Sequence, residues 1–177
     1  MFVSETYALE DCMDYQPMTS NAHQSRWNIP SEVTSASIFG YSSDGWKFGN
    51  ASIYSRIKHN ISLTSPFSAE FTVTAFGNST SNPAPVVYFY TGGTTTPNAG
   101  FAFYSNQIDF NNSQVINRGG VTGAVYKVEF STSTVKLYEN GTLIYTGSHS
   151  VSLPTQFEFH TGASRYCVVK DFKIKPL

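Results

Sequence analysis

Two neighbouring segments, Val125–Phe130 and Val135–Tyr145, constrain this chain more than any other feature. They read as three short strands joined by tight turns, and the second turn is the dipeptide Asn140-Gly141. Asn and Gly tolerate the positive φ angles that a two-residue hairpin turn requires, so the chain reverses there. In the first strand Val125, Lys127 and Glu129 fall on one face, and Tyr126, Val128 and Phe130 on the other. A side-chain period of two with one apolar face describes an antiparallel strand that is wet on one side and packed on the other. A helix cannot use that pattern, because its apolar positions recur every three or four residues.

The rest of the chain follows the same grammar. The pattern predicts opening strands at Thr6–Asp11, Thr34–Phe39, Gly45–Phe48 and Ala51–Lys58, with Thr19–Pro30 as a polar loop that carries Trp27. Phe67–Phe76 reads as a long alternating strand, with Ala69, Phe71, Val73 and Ala75 opposite Glu70, Thr72 and Thr74. Gly77–Pro85 and Gly92–Pro97 are rich in turn formers and flank a strand at Val86–Tyr90. A meander is expected over Phe101–Tyr104, Gln107–Phe110 and Gln114–Asn117, and closing strands at Gln156–His160 and Tyr166–Ile174. Evenly spaced short strands with turns between them indicate an all-β antiparallel two-sheet sandwich or jelly roll. At 177 residues the chain has room for one such domain with a sizeable core, so residues 1–177 are read as a single domain.

Composition narrows the partners. Only 13% of residues are charged and the formal net charge is −1, which supplies no field to attract nucleic acid or anionic lipid. The longest aliphatic-aromatic stretch, Val86–Tyr90, is of strand length, so membrane insertion is not expected. Met1–Glu5 lacks the basic and apolar regions of a secretion signal. The expectation is therefore either a module of a larger protein or a phage structural protein made without a signal. Sequons at Asn50, Asn60 and Asn78 mark exposed segments and nothing more.

The hairpin Val135-Lys136-Leu137-Tyr138-Glu139-Asn140-Gly141-Thr142-Leu143 resembles the late hairpin of concanavalin A-like, or laminin G-like, jelly rolls. The ending Lys170-Asp171-Phe172-Lys173-Ile174 is similar to the final strand of such domains. Leu9-Glu10-Asp11-Cys12 followed by Trp27 resembles their acidic opening element, with Cys12 where those often carry Phe. Trp46 resembles the structural Trp after their first long loop. The resemblance spans nearly the full length, and it implies that the first and last strands lie side by side. That would bring Cys12 and Cys167 close, as a disulfide or as two unrelated thiols; spacing alone does not decide. It also leaves room for a structural calcium ion at Glu10, Asp11 and Asp171, although no contiguous calcium loop is present and no cofactor is otherwise expected.

Superfamily members of the bacterial β-glucanase type carry a Glu-x-Asp-x-x-Glu strand, whose carboxylates flank a glycosidic bond. This chain has no such strand. Its carboxylates Glu70, Asp109, Glu129 and Glu158 are single, each is predicted on a polar face, and they are read as solvated sheet residues. None of His23, His59, His149 and His160 lies in a nucleophile elbow, though Glu158 and His160 should share a sheet face.

Aromatic residues give the better signal, because sugar rings present apolar C–H faces that stack on exposed rings while amides, Arg and carboxylates take the hydroxyls. Alternation puts Tyr88 with Tyr90 on one face, and Tyr54, Arg56 and Lys58 together on another strand. Tyr104, Asp109, Asn117 and Arg118 continue the polar register in the meander. If these strands are neighbours, Tyr54, Arg56, Tyr88, Tyr90, Tyr104, Arg118, Glu158 and His160 line a concave sheet. The expected function is a non-catalytic module that binds a polysaccharide or surface glycan, at the cell surface or outside the cell. Two alternatives remain: a phage or prophage tail or fibre domain, then a homo-oligomer on the virion, and a glycan hydrolase or lyase.

Overall fold

A computed structural model describes residues 9–10, 27–28, 39–42, 44–49, 55–60, 66–90, 99–149, 156–162 and 164–177. Its strands are β1 (Leu9–Glu10), β2 (Trp27–Asn28), β3 (Phe39–Ser42), β4 (Gly45–Phe48), β5 (Ser55–Asn60), β6 (Phe67–Phe76), β7 (Val86–Tyr90) and β8 (Ala99–Phe103). After these come β9 (Ile108–Phe110), β10 (Ser113–Ile116), β11 (Val125–Phe130), β12 (Thr134–Glu139), β13 (Thr142–Ser148), β14 (Gln156–Thr161) and β15 (Cys167–Pro176). One sheet runs β13-β12-β11-β6-β15-β4-β3, with β1 also on β15; the other runs β10-β9-β8-β7-β14-β5-β2. Every pairing is antiparallel, so the all-β jelly-roll expectation holds.

The first strand does lie beside the last, with Leu9 opposite Ile174 and Glu10 opposite Lys173. Cys167 is buried; Cys12 lies outside the described residues, and the pairing of the two cysteines with it. Trp27 corrects the sequence reading: it sits in β2 opposite His59 rather than in a loop. Two residues are too short a run for periodicity to register against the polar residues around them.

The core lies between the sheets and is built from phenylalanine. Phe67, Phe71, Tyr126 and Phe130 come from the larger sheet, and Phe89, Phe101, Phe103, Phe157 and Phe159 from the smaller, all fully buried. Rings meet across the gap edge to face, Phe71 on Phe159 at 5.1 Å and Phe103 on Tyr126 at 4.9 Å, the geometry that ring quadrupoles favour. Truncating one such ring to Ala removes about 3–5 kcal/mol. Two hairpins turn on left-handed residues: Asn111 (φ 49°) with Asn112 (φ 64°), and Asn140 (φ 49°) with Gly141 (φ 79°). The second is the turn that the Asn-Gly dipeptide predicts.

In β15 two residues, Asp171 and Phe172, stand against the single Phe71 of β6. Asp171 takes a left-handed conformation (φ 54°) and accepts a hydrogen bond from the Thr72 hydroxyl at 3.4 Å. This bulge turns Phe172 into the core against Phe157 at 4.9 Å.

Candidate functional site

Inward-facing Phe157 and Phe159 fix the phase of β14, and they put Glu158 and His160 on the outer face of the seven-stranded sheet. By the same alternation Val87 and Phe89 turn Tyr88 outward on β7, Phe101 and Phe103 turn Gly100 and Ala102 outward on β8, and Ile108 and Phe110 turn Asp109 outward on β9. Register brings these positions together: Tyr88 stands between Glu158 and Gly100, and Asp109 stands between Ala102 and Gln114.

The face is not the solvated surface that the sequence suggests. Glu158 is 1% exposed and Asp109 is 7% exposed, although both point away from the core. That corrects the reading of these carboxylates as ordinary wet residues; alternation identifies the face of a residue and not what else covers that face. Asp109 accepts a hydrogen bond from the Gln107 side-chain amide at 2.7 Å. Half-buried Tyr88 rests on the bare Cα of Gly100, where an added methyl would overlap its Cδ1 and come 2.9 Å from Cε1. On its other flank the His160 ring lies 5.8 Å away, centroid to centroid.

Burial raises the Tyr88 phenol above its ordinary pKa, and the negative charge of Glu158 and then Tyr104 add to the shift. Burial, followed by the Asp109 carboxylate, raises Tyr104 in the same direction. Both phenols therefore remain neutral hydrogen-bond donors at neutral pH, beside carboxylates that can accept. Such a surface offers the ring face of Tyr88, with the Tyr104 hydroxyl as a donor and Asp109 as an acceptor. That is the chemistry for holding a polyol against a flat apolar platform.

The structure brings Tyr88, Tyr104, Glu158 and His160 together. Register places Arg56 opposite His160 and Lys58 opposite Glu158, and Tyr90 opposite Gln156. Tyr54 lies outside the described residues. Arg118 goes elsewhere: its guanidinium makes a bidentate pair with Glu139 at 2.7 and 3.1 Å, at one end of the sandwich. Glu139 also accepts from the buried Tyr126 hydroxyl at 2.7 Å, and that hydroxyl accepts from the Val121 N–H at 2.7 Å. On the outer face of the larger sheet, Glu129 is bound by Lys127 and Tyr138, both at 2.8 Å, while Glu70 stands opposite Lys127. Among the described residues no cluster of His, Cys, Asp or Glu is placed to hold a metal ion, and Asp11 of the calcium expectation lies outside them.

Sequence reasoning missed Gly100, Ala102 and Gln107. The signal for the first two is present in Ala99-Gly100-Phe101-Ala102-Phe103, where outward residues are small and inward ones aromatic.

No protein-family model matches the chain, and no curated protein matches it. Solved structures do. A sialidase superimposes with a TM-score of 0.71 at 11% identity, covering 96% of this chain but only 19% of its own. The carbohydrate-binding module CBM66 from Bacillus subtilis gives 0.58 at 16% identity, covering 84% of this chain and 94% of the module. An alginate lyase from Corynebacterium sp. gives 0.59 at 14% identity, over 85% of this chain and 94% of the lyase. Identities this low speak to architecture alone, and with the strand order they show that this chain has the concanavalin A-like jelly-roll fold.

Proposed function

We propose that the chain is a non-catalytic module that binds a polysaccharide or surface glycan through the outer face of its seven-stranded sheet. The carrying observation is Tyr88, laid on Gly100 with the outward yet buried carboxylates Glu158 and Asp109 on neighbouring strands. A sugar ring stacked on Tyr88 would find a phenol donor at Tyr104 and an acceptor at Asp109. Similarity in fold to a carbohydrate-binding module and to sheep galectin-11 supports the reading (the latter TM-score is 0.50 at 14% identity). We place the protein outside the cell or at a surface. A phage tail or fibre domain attaching to a host glycan would use the same face.

Catalysis is the weaker reading. A lyase or hydrolase working from this face needs Tyr88 or His160 to take a proton, or two carboxylates to divide the roles of acid and nucleophile. The raised pKa of Tyr88 works against that residue as the base, because a base must lose its proton near the working pH.

Calorimetry against cellohexaose, laminarihexaose and xylohexaose, with the Tyr88→Ala variant beside the wild type, tests the proposal. Wild-type binding to at least one, weakened about tenfold (~1.4 kcal/mol) by the substitution, is expected. A melting temperature within a few degrees of wild type would show that no core was removed. Absence of binding to all three, or equal binding by the variant, would refute the role of this face, and release of reducing ends or unsaturated products would overturn the non-catalytic reading.

A further inference from the structure

Resting on that reading, we infer that Gly100 is a positioning residue for the Tyr88 platform, and that Asn111 holds Gly100 in place. A glycine inside a strand is unfavourable, having no side chain to pack and more backbone freedom to lose, so its presence at the centre of the β8–β7 pair asks for a reason. Gly100 has ordinary strand neighbours, Ala99 and Phe101, both buried in the core. Its outward side meets the Tyr88 ring, and an added Cβ would also come 2.8 Å from the Val87 carbonyl oxygen. Any other residue at position 100 lifts the ring from the sheet. The glycine thus sets both the height and the tilt of the aromatic surface that a ligand would meet.

Gly100 is itself clamped. Its N–H donates to Oδ1 of Asn111 at 2.9 Å, and its carbonyl accepts from the Asn111 N–H at 3.0 Å. Asn111 can close both bonds because it sits at φ 49° in the β9–β10 turn, a conformation that Asn tolerates and most residues do not. One asparagine therefore ties the hairpin turn to the strand beneath the platform. With His160 on the opposite flank at 5.8 Å, Tyr88 is held from two sides. Holding a ring in its bound orientation before the ligand arrives removes an ordering cost from binding, which is how a residue that touches no ligand can set affinity.

The test is a double-mutant cycle, Gly100→Ala and Tyr88→Ala singly and together, against the hexasaccharide that the wild type binds tightest of cellohexaose, laminarihexaose and xylohexaose. Gly100→Ala is expected to weaken binding about as much as Tyr88→Ala does, and to have no further effect once Tyr88 is gone. The backbone crowding at Val87 is present in both backgrounds, so it cancels from the cycle. A second readout needs no ligand: nitration of Tyr88 by tetranitromethane, followed by peptide mass spectrometry. Lifting the ring should make Tyr88 react several-fold faster in Gly100→Ala while Tyr166, exposed in the wild type, is unchanged. If Gly100→Ala does not fold, Asn111→Gly keeps the turn conformation, removes only the side-chain acceptor and should shift both readouts in the same direction. An equal loss of binding in both backgrounds, or wild-type nitration of Tyr88 in a folded variant, overturns the inference. Failure of the wild type to bind any of the three sugars would overturn the proposed function alone, and nitration would still decide the role of Gly100.

Discussion

Replacing Tyr126 by Phe removes one oxygen atom from the end of the sandwich and should be among the costlier conservative changes in this protein. The hydroxyl is fully buried, donates to Glu139 at 2.7 Å and accepts from the Val121 N–H at 2.7 Å. A hydrogen bond to a charged group contributes about 1.5–3 kcal/mol. The Val121 N–H loses its acceptor as well, a neutral hydrogen bond at the low end of its range, about 0.5 kcal/mol. The sum is about 2–3 kcal/mol, or roughly 4–12 °C in melting temperature for a domain of this size. The pH dependence gives the sharper test. Burial alone would raise the Glu139 carboxyl, but hydrogen bonds from Arg118 and Tyr126 outweigh it and leave the group below its ordinary pKa. A carboxyl depressed in the folded state contributes stability in full above its unfolded pKa, and loses it as pH falls through the folded one. Tyr126 is shifted upward, chiefly by burial, so it remains a neutral donor throughout that range. Urea denaturation at pH 7 should therefore show the full difference between wild type and Tyr126→Phe with an unchanged m-value. Acidification through the folded pKa of Glu139 should shrink the difference toward that of a neutral hydrogen bond, about 1 kcal/mol. A cost below about 0.5 kcal/mol at pH 7, or one that does not change with pH, would refute the reasoning.

At the β12–β13 turn, Asn140 accepts the Val125 N–H at 2.9 Å through its side chain and holds φ at 49°; Asn140→Ala should cost about 1–2 kcal/mol by urea melt and Asn140→Gly clearly less. The Cys167 thiol is buried and desolvation drives its pKa well up; peptide mapping after iodoacetamide at pH 8 should find it unmodified in the folded protein and fully modified in urea.

Strands whose two faces differ sharply were legible in the sequence, and the outlines of Phe67–Phe76, Val86–Tyr90 and Val125–Phe130 coincide with the observed ones. Each has a core face of apolar residues, and a one-residue slip would expose all of them at once. What escaped depends on distant parts of the chain. The meander's polar register groups Arg118 with Tyr104, whereas its partner Glu139 lies 21 residues further on and becomes a neighbour only when the chain folds. Alternation puts Glu158 and Asp109 on an outward face, yet it carries no information about burial of an outward residue. The bulge at Asp171 was likewise invisible, because it is defined by a count against β6 and not by any residue pattern in β15.

Glu129 and Asp109, on the two outer faces of the sandwich, are held in different ways, and the contrast leads to a final prediction. On the larger sheet Lys127, Glu129 and Tyr138 satisfy one another, with the Lys127 ammonium also 4.2 Å over the Tyr138 ring. These three side chains are used on one another, and partly exposed pairs of this kind add at most about 1 kcal/mol each to stability. On the smaller sheet Asp109 is held 7% exposed and accepts from a neutral amide, Gln107, at 2.7 Å. Removing a carboxylate from water is expensive, so a fold selected only for stability would do as well with a neutral residue there. Asp109→Asn keeps an oxygen to accept from Gln107 while discarding the charge. The melting temperature should stay the same or rise by a few degrees, the direction seen when a strained functional position is relaxed. Binding of a neutral hexasaccharide should weaken about tenfold, because an anionic acceptor becomes a neutral one and charge-assisted hydrogen bonds are roughly twice as strong. A variant that loses stability and binds its sugar as well as the wild type would mean that Asp109 serves the sheet and not the ligand.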